Sequence, residues 1–528
     1  MATQVVLTFF LKIKLQYLLA GIGTVTSFIV LGYLLQSAIQ SHLSKRPKLN
    51  LPILNLTGNN YSQASREWQK NYVKYLEQGY RKFRHGAYQL WGPEGFVTVL
   101  SPDFLGELKN LPDDQLSFYL GAANAVQGKH RFLDFRGHAP IYALKSMMTP
   151  KLNQLMPAIL EELDYGTRTS LPADTNTWHE VDINKVYPRI VGFITGRLFF
   201  GPQLCRREDW LNSIIAFPDN VFRAARKIRR TPSAVRLLRI PLLREVQRVF
   251  FLLLKARRLI TPILEERSML SQRPPKIPRP ETPQDFIQFV YESSRREAIP
   301  PSFQRQAEQM MIIMLAGIHT TNIAGIHVLY DLASMPHIVG PLREEINRVW
   351  DRCGGKLTKD SLRDLGSLDS FMKESQRMNP PSYSTFDRIV TAENGITLSD
   401  GLHLPKGTVL TVPSSQVSHD PDVWEDPETY DAFRFEKLRS VSGNKFNYQY
   451  ATSTEQSLHF GVGRHACPGR WVSTVENKTI LCYMIRHFDF RLSNPGEGRP
   501  PNLTFGPNVS PNELARIQIK RIREHSLA

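Results

Sequence analysis

Cysteine is scarce in this chain: four residues in 528, at positions 205, 353, 467 and 482, with no Cys-x-x-Cys pair among them. That excludes a disulfide-stapled scaffold and a thiolate zinc site, and it points to a reducing compartment. Internal repeats and low-complexity inserts are also missing, which excludes a repeat array, and the ordinary apolar content excludes global disorder. Acidic residues are outnumbered, 49 against 66 Lys and Arg, for a formal net charge of +17. No nucleic-acid motif accompanies that charge, so no nucleic-acid partner is expected. Its distribution is local: between 223 and 258 twelve Lys and Arg stand against the single acid Glu245, interleaved with Leu, Ile, Val and Phe. Such a basic amphipathic stretch suits a membrane surface of anionic headgroups; phosphate binding and plain solvated helix faces are the alternatives.

One uncharged run is long enough to matter. Residues 15–35 are 21 residues rich in Leu, Ile, Val, Phe and Gly, preceded by Lys12 and Lys14 and followed by Lys45, Arg46 and Lys48. At helical rise this crosses a hydrocarbon core. A cleaved signal peptide is the competing reading, but its apolar core is shorter, and no small-x-small cleavage site closes this run. The expectation is a short tail (1–14), a retained single-pass anchor (15–35) and a stiff linker (36–60) holding Pro47 and Pro52. A single helix-rich body (61–528) follows, and the flanking charges favour a cytosolic side for it. Sequons at Asn55 and Asn60 report on topology.

Within the body, helical periodicity runs through 64–83, 151–165, 182–199, 244–267, 303–333 and 341–349, and strand-like runs cover 95–100 and 408–412. Proline-rich breaks at 273–282 and 299–301 punctuate the helices without separating domains. Cys205 and Cys482 read as buried structural thiols.

Cys467 stands apart. It lies in Phe460-Gly461-Val462-Gly463-Arg464-His465-Ala466-Cys467-Pro468-Gly469, directly before a helical pattern over 471–485. Glycines let a backbone approach something large and flat, while Arg464, His465 and a helix start favour thiolate over thiol. A thiolate presented in this way is what a fifth ligand to haem iron requires. The segment resembles the cysteine-ligand signature of the cytochrome P-450 family, Phe-x-x-Gly-x-(Arg or His)-x-Cys-x-Gly, at every fixed position. The resemblance implies a mainly α fold with small β-sheets and a haem b cofactor with Cys467 as its axial ligand. Phe460, Gly461, Gly463, Arg464, His465 and Gly469 then become haem-loop residues, with Phe460 against the macrocycle. Arg388 and His465, and Arg464 as a third candidate, are placed to meet the propionates.

The run 309–333 has an unusual centre, Ala316-Gly317-Ile318-His319-Thr320-Thr321. Glycine costs about 1 kcal/mol against alanine inside a helix, so Gly317 needs a reason, such as a flat group packed on the backbone. By itself His-Thr-Thr reads as a satisfied core histidine beside a helix-bonded threonine. Beside the cysteine loop, the segment is similar to the family's oxygen-activation helix, (Ala/Gly)-Gly-x-(Asp/Glu)-Thr-(Thr/Ser), with His319 in place of the acid. The resemblance gives Gly317, His319 and Thr320 the catalytic roles, and histidine can shuttle protons near neutral pH. This Ala-Gly-Ile-His-Thr-Thr form is similar to that of filamentous-fungal secondary-metabolism members.

Glu374 and Arg377 stand at i and i+3, ordinarily a surface pair of small worth. Pro380 completes Glu-x-x-Arg-x-x-Pro, and Arg434 follows in Ala432-Phe433-Arg434-Phe435. That order resembles the family's buried network, which implies that Glu374, Arg377 and Arg434 are structural. The resemblance as a whole implies a membrane-anchored monooxygenase of the endoplasmic reticulum. It would act with O2 on a hydrophobic small molecule, terpenoid before polyketide or alkaloid. With no flavin or nicotinamide segment in the sequence, NADPH–cytochrome P-450 reductase is the expected electron donor. A haem-thiolate isomerase or dehydratase, and a basic membrane-associated binding protein, are the competing readings.

Overall fold

The computed structural model describes residues 46–523 apart from 59, 128–132, 134–136, 232 and 273–281. The expected tail and anchor, residues 36–45 of the linker, and all but Thr282 of the 273–282 break lie outside the described residues.

Helix dominates, with small sheets at the periphery. The helices that build the body are α1 (Tyr61–Lys82), α2 (Phe118–Ala125), α3 (Leu152–Ser170), α4 (Ile183–Phe200), α5 (Glu208–Arg230), α6 (Arg244–Ser271), α7 (Phe303–Ser334), α8 (Pro336–Arg352), α9 (Gly366–Met378), α10 (Arg434–Ser440) and α11 (Arg470–His487). Their ends follow local chemistry. Asn60 caps α1 by accepting from the Gln63 N–H, Ser117 caps α2 through Leu120, and Ser302 caps α7 through Arg305. On α1, Ala64, Trp68, Tyr72, Leu76 and Gly79 are buried, a spacing of three to four that lays one stripe on the sheet beneath.

Helix α7 is the axis of the fold. It packs against α4, α5, α6, α9 and α11. Apolar side chains from these helices join in one continuous core, with Met310, Met314, Ile318, Leu329 and Leu332 of α7 buried in it. Among the described residues, α7 is long and apolar enough to cross a bilayer, yet most of it is buried inside the protein, so it is a core helix.

The larger sheet is made of β1 (Ala87–Gly92), β2 (Gly95–Leu100), β3 (Leu116–Ser117), β5 (Thr385–Val390) and β6 (Val409–Val412), in the order β1-β2-β6-β5-β3. β1 and β2 form a hairpin, β2 runs parallel to β6, and β5 is antiparallel to β6 with its register broken between Thr385 and Arg388. Phe386, with φ of 64°, sits in that break and re-aims the strand so that Arg388 turns inward. A second sheet joins β4 (Trp178–Val181), β8 (Ile517–Arg521) and β7 (Phe488–Leu492), all antiparallel, and closes the far end of α11.

The described part of the expected stiff linker lies along β1. The Gln89 N–H donates to Pro52 O at 2.8 Å, the Leu54 N–H to Gln89 O at 3.2 Å, and Leu49 is buried. Backbone pairing along β1 holds it there because the strand edge offers free donors and acceptors. Of the two sequons, Asn55 is buried, with its amide bonded to Ala64 O and Trp91 O, so only Asn60 is open to modification.

Candidate functional site

Cys467 is half-buried two residues before the N-cap of α11, Gly469. Its N–H donates to Phe460 O at 2.7 Å, which closes the loop on itself, and the Ala466 N–H returns to Gly463 O at 3.1 Å. Two glycines make the turn, Gly461 at φ 67° and Gly463 at φ 71°. Gly463 is required twice over: a Cβ there would stand 2.4 Å from Lys109 O, the same carbonyl that accepts the Arg464 N–H at 3.1 Å. Phe460 meets Tyr450 edge to face at 5.5 Å, so an aromatic wall stands beside the loop.

Burial pushes the Cys467 thiol up; the N–H groups of Gly469 and Arg470 and the Arg470 guanidinium pull it back toward thiolate. These are the groups of a helix N-terminus and its first side chain. The helix start acts as expected, and the cation beside the sulfur is Arg470 in place of Arg464 and His465. Arg464 points out to solvent, and His465 is engaged elsewhere. Arg470 was missed because its effect needs the turn after Pro468 to bring it back over the loop, where its Nη1 also donates to Cys467 O at 2.8 Å.

Arg388 and His465 meet around α2. The Arg388 guanidinium is buried, 4.8 Å from the Phe118 ring centre and 4.6 Å from that of Phe386, and burial lowers its pKa to about 10. Gly121 permits this packing, since a Cβ there would lie 2.4 Å from Asp387 O. His465 stacks on Phe118 at 5.0 Å, and its Nε2 lies 3.1 Å from Asp113 Oδ2. Burial lowers the His465 pKa and Asp113 raises it. A buried guanidinium held by ring faces, whose only hydrogen bond among the described residues is to Asp387 O at 2.9 Å, keeps donors for an anionic ligand.

The middle of α7 breaks the rule of its neighbours. Ala316 and Thr320 are exposed although Leu315, Ile318 and Thr321 beside them are buried. A Cβ on Gly317 would meet nothing within 4 Å. Positions 316, 317 and 320 share one face, so this is an open stripe in the core helix. The Thr320 hydroxyl donates to Ala316 O at 2.7 Å. His319 leaves that face: its ring lies 5.2 Å from Phe222 of α5. Burial lowers its pKa, while Asp219 and Glu513 raise it.

Glu374, Arg377 and Arg434 form one buried knot. Glu374 accepts from Arg377 at 2.9 and 2.8 Å, from Arg434 at 3.2 Å and from the Asp431 N–H at 3.0 Å. The remaining guanidinium donors go to carbonyls of Ser418, Pro427, Thr429, Glu425 and Asp426. A second knot, not anticipated from sequence, lies beside it. Asp369 is 2.6 Å from Lys478 of α11 and 2.8 Å from Arg439, and it accepts from the Tyr450 N–H at 2.8 Å. Residues 81 positions apart meet there, which no local spacing reveals.

A flat macrocycle fits these residues: a glycine loop whose thiol faces two N–H groups and a guanidinium, an open stripe at 316, 317 and 320, and a buried cation with spare donors. The comparisons agree. Residues 53–517 match the family described as Cytochrome P450. The chain is 32% identical over 452 residues to cytochrome P450 monooxygenase olcJ of Penicillium canescens, covering 85% of this chain and 84% of the relative. It is 32% identical over 450 residues to cytochrome P450 monooxygenase paxP of Penicillium paxilli, covering 84% and 85%. It is 30% identical over 453 residues to ent-kaurene oxidase of Gibberella intermedia, covering 84% and 83%. With a family match spanning most of its length, the chain belongs to the cytochrome P450 family and is a haem-thiolate monooxygenase.

Proposed function

We propose that this enzyme inserts one oxygen atom from O2 into a hydrophobic fungal secondary metabolite, with a terpenoid as the favoured class, and that NADPH–cytochrome P-450 reductase supplies its electrons. The observation that carries the reading is the open stripe at Ala316, Gly317 and Thr320 in an otherwise buried helix. One turn before it stand Ile312 and Ile313, half-buried and apolar, which suit a greasy substrate. The name ent-kaurene oxidase, carried by one relative, supports terpenoid over polyketide or alkaloid.

In this reading the Cys467 sulfur would hold the haem iron, and haem, when bound, would supply the redox chemistry that activates dioxygen. The N–H groups of Gly469 and Arg470 favour the thiolate against the burial that opposes it. Arg388, with His465 beside it, takes the propionate end. Thr320 has given its own hydrogen to Ala316 O, so its lone pairs are left to accept from a water and hold a proton source over the open stripe. Replacing Thr320 by alanine removes that acceptor: hydrogen peroxide released per NADPH is expected to rise severalfold, and serine to restore coupling. Unchanged coupling in the alanine variant would remove the role.

The whole reading is tested by the reduced, carbon-monoxide-bound spectrum, expected near ~450 nm for a thiolate ligand. Titration with ent-kaurene and with an unrelated polyketide then tests substrate class: a Soret shift with the first alone supports terpenoid, and a shift with the second alone overturns it.

For localisation, we propose the endoplasmic reticulum, with residues 15–35 as anchor and the body on the cytosolic side. Leu242, Phe250 and Phe251 are 74%, 54% and 64% exposed, among the exposed cations Arg244, Arg248 and Arg258. Apolar side chains left in water beside cations are the composition of a surface that rests on anionic lipid. Hydrogen exchange over 235–258 is expected to slow in nanodiscs containing phosphatidylserine and not in phosphatidylcholine alone, with high salt removing the difference. Equal exchange in both would make these helix faces simply solvated.

A further inference from the structure

Helix α7 carries a base at 319, and α5, packed against it, carries an acid. His319 is half-buried, its ring 5.2 Å from Phe222 and tilted 43° to it. Asp219 precedes Phe222 by one turn on the same face of α5, and its side chain is exposed. Glu513 approaches from the segment 511–515, which is pinned to α4 and α7 where Asn512 O accepts from Asn184 at 3.1 Å and from Tyr330 at 2.9 Å. Among the described residues, Asp219 and Glu513 are the charges that act on the imidazole, and both favour its protonated form against burial. The next cation along α5, Arg223, is exposed; on α6, Arg257 is paired with Glu308 at 2.5 Å, about three turns along α7 from His319.

We propose that Asp219 is the positioning residue of a proton entry route, joining solvent at the surface of α5 to His319 and through it to the Thr320 face. The inference rests on the proposed role of Thr320. An exposed carboxylate exchanges protons with water freely, and a half-buried imidazole packed on α5 has two ring nitrogens, so it can receive a proton at one and release it from the other. Each proton that leaves His319 toward Thr320 is replaced from water by way of Asp219, so the imidazole ends neutral and these residues move no electrons. The arrangement supplies from α5 the carboxylate that position 319 itself lacks.

The test uses full-length, detergent-solubilised holoenzyme labelled with 13C at histidine Cε1, held in the diamagnetic ferrous carbon-monoxide form. The His319 resonance is assigned by its loss in His319→Gln and titrated by NMR. Asp219→Asn is expected to lower the His319 midpoint by about 0.5, with Glu513→Gln having a smaller effect and Asp219→Glu restoring it. With the reductase and NADPH and no added substrate, Asp219→Asn is further expected to raise peroxide per NADPH severalfold at pH 7 and to move the pH of best coupling downward. A His319 midpoint unchanged within about 0.1, or wild-type peroxide yield at every pH, overturns the route. Because Asp219 is exposed, its substitution leaves the fold intact. Failure of the Thr320 reading shows separately, as an unchanged peroxide yield in Thr320→Ala.

Discussion

Glu374→Gln is expected to yield a destabilised, haem-poor protein. Glu374 is fully buried and, among the described residues, is the one carboxylate bonded to both Arg377 and Arg434. Glutamine keeps the shape but removes the charge, leaving two guanidinium groups buried without it. Removing one partner of a buried pair costs roughly 3–5 kcal/mol, because the charge left behind has neither water nor counter-ion. A folded domain has about 5–15 kcal/mol in all, so this is a large share. The knot also ties α9 to the chain before α10 through Ser418, Pro427 and Thr429, and its loss loosens the segment leading to the cysteine loop. Haem content per protein and the thermal midpoint should therefore fall together. The surface pair Arg81–Glu77 has side chains 77% and 47% exposed, and Glu77→Gln should shift the midpoint hardly at all. Normal haem content and stability in Glu374→Gln would show that the knot does not support the loop.

Cys467→Ala is expected to abolish the ~450 nm reduced carbon-monoxide band and NADPH-dependent oxygenation while the protein stays folded. The separation of effects follows from the loop's construction. What shapes it is backbone: Cys467 N–H to Phe460 O, Ala466 N–H to Gly463 O and Arg464 N–H to Lys109 O, none of which involves the sulfur. Cys467 is only half-buried, so deleting one sulfur leaves little cavity. Circular dichroism should match wild type while the band is lost. A band near ~450 nm that persists would move the ligand to another of the three remaining cysteines, of which Cys205 and Cys482 are buried, with thiols pushed up by burial.

Legibility followed the range of the interaction. Periodic apolar spacing located α7 and α11 within a few residues, because a core helix must repeat its buried face every turn. It missed α5 as a helix, since the burst of cations after Val221 obscures its apolar stripe. The cysteine loop could be read because its constraints are local: two left-handed glycines and a helix start within ten residues. The partners that tune it could not. Arg470 acts through a turn, Asp113 reaches His465 from 352 positions away, and the Asp369 knot joins three separate segments.

The sequence by itself determined the family, and it singled out the cysteine loop, the glycine at 317 and the missing acid at 319, because each is a residue type at a fixed short spacing. Only the tertiary structure decided where the compensating charge lies. Asp219 is a hundred residues from His319, and it enters the site because α5 crosses α7 with Phe222 against the imidazole. Electrostatic partnership depends on distance in space, and a chain that folds helix over helix can bring any carboxylate to any base.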